Sequence, residues 1–327
     1  MKKICVLFIS ACLMIGLLAG CGTSAETPKT AKISVVTTIF PMYDWIREIT
    51  AGNEDNVEVT MLLDNGVDLH SYQPNAQDLV KVSTCDLFVY VGGESDKWVS
   101  DALASVGNPD RIDVNLMESL GDAVKEEEVV EGMEAEVEEE AEEGEEEGPE
   151  YDEHVWLSLK NASALCRLLA EKLGEVDAPN AALYTKNAEN YTAKLDALDA
   201  QYKAAVDKAS VKTLLFADRF PFRYMAEDYG LQYYAAFVGC SAETEASFKT
   251  ILFLAGKVDE LGLRSILQIE SADGSIARTV SENTQTKDQQ ILTMNSLQSV
   301  TAQDVDAGAS YYTIMSENLE TLRAALQ

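Results

Sequence analysis

Residues 57–79 read VEVTMLLDNGVDLHSYQPNAQDL, an apolar run that leads into a polar loop and then into the start of a helix. The first seven residues predict a β-strand, because apolar and β-branched side chains dominate them. His70 lies in the loop that leaves this strand. Ligands of open parallel sheets bind beyond the carboxyl ends of the strands, so this stretch predicts a site around His70.

The alternation of strand and helix continues on both sides of this stretch. We predict strands at 32–38, 57–63, 87–91, 211–217, 231–237, 265–269 and 290–294. We predict helices at 40–49, 75–82, 97–106, 161–173, 220–229, 247–261, 275–283 and 309–326. Strands that alternate with helices predict an α/β fold with mainly parallel sheets.

A longer helix is predicted between the two halves, from Pro179 to Lys208. Its apolar residues follow spacings of four and three, which gives one narrow stripe. A helix of about 30 residues would extend roughly 45 Å, too far for one small lobe. We therefore predict an N-lobe at 32–176, a rigid linking helix at 177–209 and a C-lobe at 210–327.

The chain contains only two histidines, His70 and His154. A single histidine is more often a surface or satisfied core residue than a ligand. Here both stand beside apolar runs and neither lies on a periodic helix face; His154 is part of YDEHVWLSLKNA, residues 151–162. The pair predicts the protein half of a metal site.

The formal net charge is −31, which repels phosphate backbones and argues against nucleic acid as a partner. Much of this charge lies in the glutamate-rich segment 126–153, which predicts a disordered acidic insertion. A solvated spacer is the favoured interpretation of this segment. The alternative is a weak collector of divalent cations at the mouth of the cleft.

The N-terminus begins with Met-Lys-Lys, continues with an apolar run at 4–18 and ends that run with LAGC at 18–21. This pattern predicts a secretory signal peptide at 1–20. The last four residues resemble a lipobox, which implies lipidation of Cys21, followed by a flexible tether at 21–31. We expect an extracytoplasmic monomer that is anchored to the cell membrane by lipid.

Three further cysteines follow the predicted signal: Cys85, Cys166 and Cys240. They show no C-x-x-C spacing, so neither a zinc ribbon nor a thioredoxin-type pair is indicated. We expect small buried apolar side chains, and whether two of them form a disulfide stays open.

Several motifs together resemble the solute-binding lipoproteins of bacterial zinc and manganese ABC importers. The matching segments are LAGC at 18–21, VDLHSYQPNAQDL at 67–79, DEHVWLSLKNA at 152–162, YTKNAENYTAKLDALDAQYKAA at 184–205, FPFRYMAEDYGL at 220–231, SAETEAS at 241–247 and YYTIMSENLETL at 311–322. The resemblance implies two lobes joined by one rigid helix, with one metal ion in the cleft between them. It also implies four ligand positions, two from each lobe, and an ABC permease as partner.

His70 and His154 match the two ligand positions of the family's N-lobe. At the C-lobe positions, Arg219 stands where the family usually has His or Glu, and Asn295 where it usually has Asp. A guanidinium cannot bind a cation, and an amide is a poor zinc ligand.

Two nearby carboxylates are the substitutes that the sequence offers, Asp218 and Glu270, each at the end of a predicted strand. With two imidazoles they would complete a four-coordinate zinc site. An ion pair for Asp218 and a capping or hinge hydrogen bond for Glu270 are equally open. Glu243 and Glu245 are weaker candidates, and Arg219 can instead pair with one of these acids.

The resemblance therefore predicts a carrier of Zn(II) that delivers its metal to an ABC permease. Two imidazoles favour zinc, and a manganese carrier is the alternative because carboxylates would harden the site. An adhesin-type lipoprotein with an altered site is a further alternative. We expect no enzyme: Glu153 could act as a base beside His154, but H-E-x-x-H and G-x-S-x-G are absent from the sequence.

Overall fold

The computed structural model describes residues 32–104, 107–133, 150–241 and 245–327. The predicted signal peptide, Cys21 and the tether lie outside these residues, as do Glu243 and the central part of the acidic segment. Among the helices that are described, none combines the length and the apolar character needed to cross a bilayer.

The N-lobe is built on a sheet of four parallel strands in the order β2-β1-β3-β4. Its strands are β1 (Ile33–Thr37), β2 (Val57–Met61), β3 (Leu87–Tyr90) and β4 (Ile112–Asn115). Its helices are α1 (Phe40–Thr50), α2 (Ala76–Thr84), α3 (Trp98–Ala104), α4 (Leu116–Leu120) and α5 (Leu159–Val176). The central strand β1 is buried over its last three residues, and Val35 pairs with both Val59 and Leu87.

The long helix α6 spans Ala181–Lys208, 28 residues or about 42 Å. Its buried stripe includes Tyr184, Tyr191, Leu195, Leu198 and Tyr202. One face packs against α5 and α1 of the N-lobe. The predicted long helix is thus confirmed, and it shares one continuous cluster of buried side chains with both sheets.

The C-lobe repeats the arrangement with four parallel strands in the order β6-β5-β7-β8. Its strands are β5 (Thr213–Arg219), β6 (Gln232–Phe237), β7 (Ser265–Ile269) and β8 (Gln290–Met294). Its helices are α7 (Arg223–Tyr229), α8 (Phe248–Leu261), α9 (Ser275–Glu282), α10 (Ala302–Asp306) and α11 (Tyr311–Ala325). Two all-parallel lobes joined by a long helix confirm the predicted fold class.

Hydrogen bonds join the two lobes at the edges where the strands end. The indole Nε1 of Trp156 donates to the carbonyl oxygen of Ser296 at 2.9 Å. The backbone N–H of Ala302 donates to the carbonyl oxygen of Asp64 at 2.8 Å. The carboxyl ends of both sheets therefore face each other across one cleft. Open parallel sheets bind their ligands beyond these ends, so the cleft is the expected place for a site.

The two flanks of the acidic segment are ordered, in contrast to the predicted disorder of the whole range 126–153. The N–H of Glu127 donates to the oxygen of Glu150, and the N–H of Asp152 donates to the oxygen of Lys125, both at 2.9 Å. These bonds form a short antiparallel bridge. Residues 134–149 lie outside the described residues, so for them the predicted disorder stays a prediction.

Candidate metal centre

The loop after β2 holds His70 in a short 3-10 helix, Leu69–Ser71. Asp68 caps this turn, because its Oδ1 accepts a hydrogen bond from the His70 N–H at 3.0 Å. Leu69 is fully buried beneath it. A side-chain cap and an apolar anchor on adjacent residues thus fix the imidazole at the mouth of the cleft.

His154 is fully buried and is positioned by its own local sequence. The Oδ1 of Asp152 accepts hydrogen bonds from the His154 backbone N–H at 2.8 Å and from its Nδ1 at 2.9 Å. The following 3-10 helix, Val155–Leu157, is buried along its length. The Asp152 carboxylate keeps the proton on Nδ1 and leaves a lone pair on Nε2.

The two imidazoles face each other through their Nε2 atoms, 3.3 Å apart. Nδ1 of His70 lies 2.8 Å from Ser95 Oγ, an oxygen that can accept a hydrogen bond, and the carboxylate oxygen Oε2 of Glu153 lies 3.7 Å away, beyond hydrogen-bond distance. This environment places the His70 proton on Nδ1 as well. Two lone pairs then point at one another, an arrangement that a cation between them stabilises. Two zinc-bound imidazole nitrogens at tetrahedral angles lie about 3.3 Å apart, which is the separation found here.

The electrostatics keep His70 in the form that binds metals. Burial, reinforced by the neighbouring His154, lowers the pKa of His70 to about 3. Its imidazole is therefore neutral at physiological pH. Burial also raises the pKa of Glu153, whose Oε2 finds no hydrogen-bond donor among the described residues.

Arg219, at the end of β5, reaches across the cleft to the N-lobe. Its Nη2 donates to Oδ2 of Asp68 and its Nη1 donates to the carbonyl oxygen of Ser241 at 3.2 Å. Burial alone would raise the pKa of Asp68, but the Arg219 guanidinium and His70 hold it below its usual value. The guanidinium therefore neutralises an acid beside His70, and this partner, Asp68, is not one of the C-lobe acids that the sequence analysis offered for Arg219.

Asp218 and Glu270, the predicted C-lobe ligands, are engaged in hydrogen bonds of their own. The oxygens of Asp218 accept from the N–H groups of Arg219 at 2.9 Å and Ile269 at 3.0 Å. Those of Glu270 accept from the N–H of Ser296 at 2.7 Å and from two serine hydroxyls, Ser296 at 2.8 Å and Ser299 at 3.1 Å. The structure does not place either carboxylate in a cluster with the histidines, and their role as ligands stays a prediction.

Asn295 and Glu245 take other places around the cleft. The side-chain oxygen of Asn295 accepts from the Leu297 N–H at 2.7 Å and shapes the turn after β8. Glu245 lines a cavity of about 550 Å³ together with Asp68, Asp218 and Arg219. Asp273 lines it as well, so the cavity carries four carboxylates and one guanidinium.

Two residues that the sequence analysis did not select lie at the histidines. Cys240 Sγ and one nitrogen of each histidine all lie within 4.8 Å of one another. Gln298 is 2 % exposed and its amide lies beside His70. The position of Cys240 just after a predicted strand is a sequence feature that could have placed it at the site. The sequence carries no comparable feature for Gln298.

The described thiols are all free, so the predicted alternative of a disulfide among Cys85, Cys166 and Cys240 is not formed. Cys85 and Cys166 are buried, as expected for small apolar side chains. Cys240 is half-buried, and burial raises the pKa of its thiol. Only this thiol stands next to metal-binding side chains among the residues described.

Comparisons with known proteins point to one family. The family described as ZnuA, zinc-uptake complex component A, periplasmic, matches residues 35–325. The high-affinity zinc uptake system protein ZnuA of Bacillus subtilis is 32% identical over 97% of this chain and 96% of its own length. The zinc-binding lipoprotein AdcA of Streptococcus pneumoniae is 31% identical over 99% of this chain, which spans only 61% of AdcA.

Solved structures agree with the sequence comparisons. The Zn(II)-bound ZnuA-like domain of Streptococcus pneumoniae AdcA superposes with a TM-score of 0.71 at 26% identity, covering 90% of this chain and 99% of that domain. The metal-dependent lipoprotein YcdH of Bacillus subtilis gives a TM-score of 0.72 at 28% identity, covering 90% of this chain and 99% of its own.

Proposed function

This chain belongs to the ZnuA family of zinc-uptake components, and we propose that it captures Zn(II) outside the cytoplasm and delivers it to the permease of an ABC importer. Its role is that of a transport component and not of an enzyme. The family's description as periplasmic places its members outside the cytoplasm.

The observation that carries the proposal is the 3.3 Å separation of two Nε2 lone pairs, from His70 and His154. Both Nδ1 atoms are oriented by oxygen acceptors, as is usual for metal-bound imidazoles. Imidazole ligands favour zinc over manganese. His70 and His154 therefore hold the transported ion.

Asp218 and Glu270 belong to the proposal only as conditional ligands. Neither lies in the cluster that brings His70 and His154 together among the described residues. An oxygen of each already accepts a hydrogen bond, from the Ile269 N–H at 3.0 Å and from the Ser296 N–H at 2.7 Å. A hydrogen-bonded carboxylate keeps lone pairs for a metal, so each becomes a ligand only if its loop brings an oxygen up to the ion.

Membrane anchoring is the second part of the proposal. LAGC at 18–21 supplies Cys21 as the lipidation site, and a relative is named a lipoprotein. The mature protein then acts as a tethered monomer that docks on the permease. Mass spectrometry of the membrane-extracted protein should find a lipid on Cys21, and Cys21→Ser should release the protein from membranes; an unmodified, released native protein would refute the anchor.

Metal analysis tests the proposed function. Protein stripped of metal and then equilibrated with equal zinc and manganese should retain one zinc ion per chain. His70→Ala and His154→Ala should retain none at the same concentrations. A native protein that retains no metal would refute the carrier function.

A further inference from the structure

Two histidines alone do not complete a zinc site, because structural and transport sites of zinc require further donors. Within the residues that the structure describes, one further donor atom joins their cluster, the Sγ of Cys240. We propose that the thiolate of Cys240 is the third zinc ligand and supplies the contact from the C-lobe. This inference rests on the proposed function, since it names a ligand of the same zinc ion.

The backbone around Cys240 is built to bring the thiol close to His154. A side chain at the preceding Gly239 would put a Cβ 3.2 Å from His154 Nδ1 and 2.9 Å from the carbonyl oxygen of Phe220. Only glycine therefore lets this strand end approach the imidazole so closely. The N–H of Cys240 also donates to Oε1 of Glu127 at 3.2 Å, which ties the turn to the ordered flank of the acidic segment.

The other C-lobe side chains considered as ligands make ion pairs or hydrogen bonds away from the histidines. Arg219 pairs with Asp68, and Asp218 and Glu270 accept the backbone hydrogen bonds described above. Cys240 is different, because its sulfur and one nitrogen of each histidine all lie within 4.8 Å of one another. A soft thiolate with two imidazoles is a donor set that zinc accepts and manganese disfavours.

Gln298 supports the same location for the ion. It is nearly fully buried, and neither atom of its amide makes a hydrogen bond of good geometry to a described group. A buried amide without partners is destabilising. The amide lies beside His70, so a polar group that can turn towards the ion, or towards a water bound to it, stands at the proposed site.

Cobalt substitution gives a direct readout of the sulfur ligand. The mature chain, carrying Cys21→Ser and handled anaerobically, should show a thiolate-to-cobalt charge-transfer band when loaded with Co(II). Cys240→Ser should lose the band and bind zinc about 10-fold or more weakly, because even groups behind the ligands change affinity 10- to 100-fold. Cys85→Ser is the matched control and should keep both band and affinity, since a hydroxyl can still donate to the Val82 oxygen as the thiol does.

X-ray absorption at the zinc edge tests the inference on the unsubstituted protein, even where a variant fails to fold. One sulfur at about 2.3 Å from zinc is expected. A native protein that binds one zinc ion through nitrogen and oxygen alone, with no cobalt band, would overturn the Cys240 assignment and leave the carrier function standing. A native protein that binds no zinc would overturn the carrier function itself.

Discussion

Arg219 and Asp68 form an ion pair that joins the end of β5 in the C-lobe to the residue that caps the His70 turn. Their side chains are only 12% and 21% exposed. The pair therefore does two things: it holds the lobes together without metal, and it cancels a carboxylate charge next to the zinc site. Stability and metal affinity should respond to it in opposite directions.

Replacing Arg219 by methionine should lower the free energy of unfolding of the metal-free protein by about 2 kcal/mol, because Asp68 then loses a charged partner in a mostly buried place. The freed carboxylate should tighten zinc binding by about fivefold, the effect of roughly 1 kcal/mol of added attraction. Urea unfolding and zinc titration measure the two effects.

Arg223→Met is the control for this pair, since Arg223 contacts Glu128, whose side chain is 52% exposed. It should change stability by less than about 1 kcal/mol and leave zinc affinity unaltered. Equal effects of the two arginine variants on zinc affinity would contradict the assigned role of Arg219. A double-mutant cycle of Arg219→Met with Asp68→Asn isolates the coupling.

Asp152→Asn should weaken zinc binding by about 10- to 100-fold, because the charge that orients His154 and raises the basicity of its Nε2 is lost. Asp228→Asn is the matched control. The Asp228 carboxylate accepts a hydrogen bond at 2.6 Å from Ser158 Oγ, four residues after His154, but it lies outside the cluster of histidines and Cys240. It should alter stability and not affinity. Zinc competition with a chelator measures both, and equal affinities for Asp152→Asn and the native protein would be inconsistent with the site.

Asp96 should make stability depend on pH. Burial chiefly raises the pKa of Asp96 from 3.8 to about 7, although it accepts N–H bonds from Val91 and Gly92. Between these values the folded state holds a proton that the unfolded state lacks, so acidification stabilises the fold and the gain is lost as the pH rises through 7.

The native protein should therefore gain stability over Asp96→Asn as the pH falls from 7 to 5, by up to about 3 kcal/mol. The native protein should gain stability over Asp44→Asn in the same direction on acidification, with the midpoint about one pH unit lower. The reason is that burial raises the pKa of Asp44 to about 6. Chemical unfolding across this range measures the differences. Parallel stability curves for the native protein and Asp96→Asn would show that the carboxyl does not titrate as stated.

Deletion of residues 134–149 should leave the tight zinc site intact, because the bridge between 125–127 and 150–152 closes the chain at its base. Weak binding of additional divalent ions should disappear, as their carboxylate ligands are removed. A variant of equal length with the glutamates of 134–149 changed to glutamine separates charge from length. Loss of the tight site in both variants would place ligands within the segment.

Local sequence patterns were sufficient for most of the fold and for selecting the two histidines that face each other in the cleft. Hydrophobic periodicity predicted seven of the strands and the long helix, and His70 and His154 stood out by their rarity and their loops. The strand β4 was missed because it has four residues, of the partly polar sequence IDVN. Periodicity carries little information in so short a segment.

The other side chains beside the histidines depend on how the lobes meet, which no local pattern specifies. Cys240 and Gln298 reach the histidines only because the loops after β6 and β8 converge on the N-lobe. The prediction of disorder from composition was also wrong for the two ends of the acidic segment. There, Asp152 and Glu153 are almost fully buried, so tertiary contacts override their polarity.

Calorimetric titration of the metal-free protein with zinc, in competition with a chelator, tests the central claim most directly. We expect one tight zinc site per chain in the native protein, weaker manganese binding at the same site, and loss of the tight site in His70→Ala. Absence of a tight site in the native protein, or a tight site that survives His70→Ala, would contradict the account.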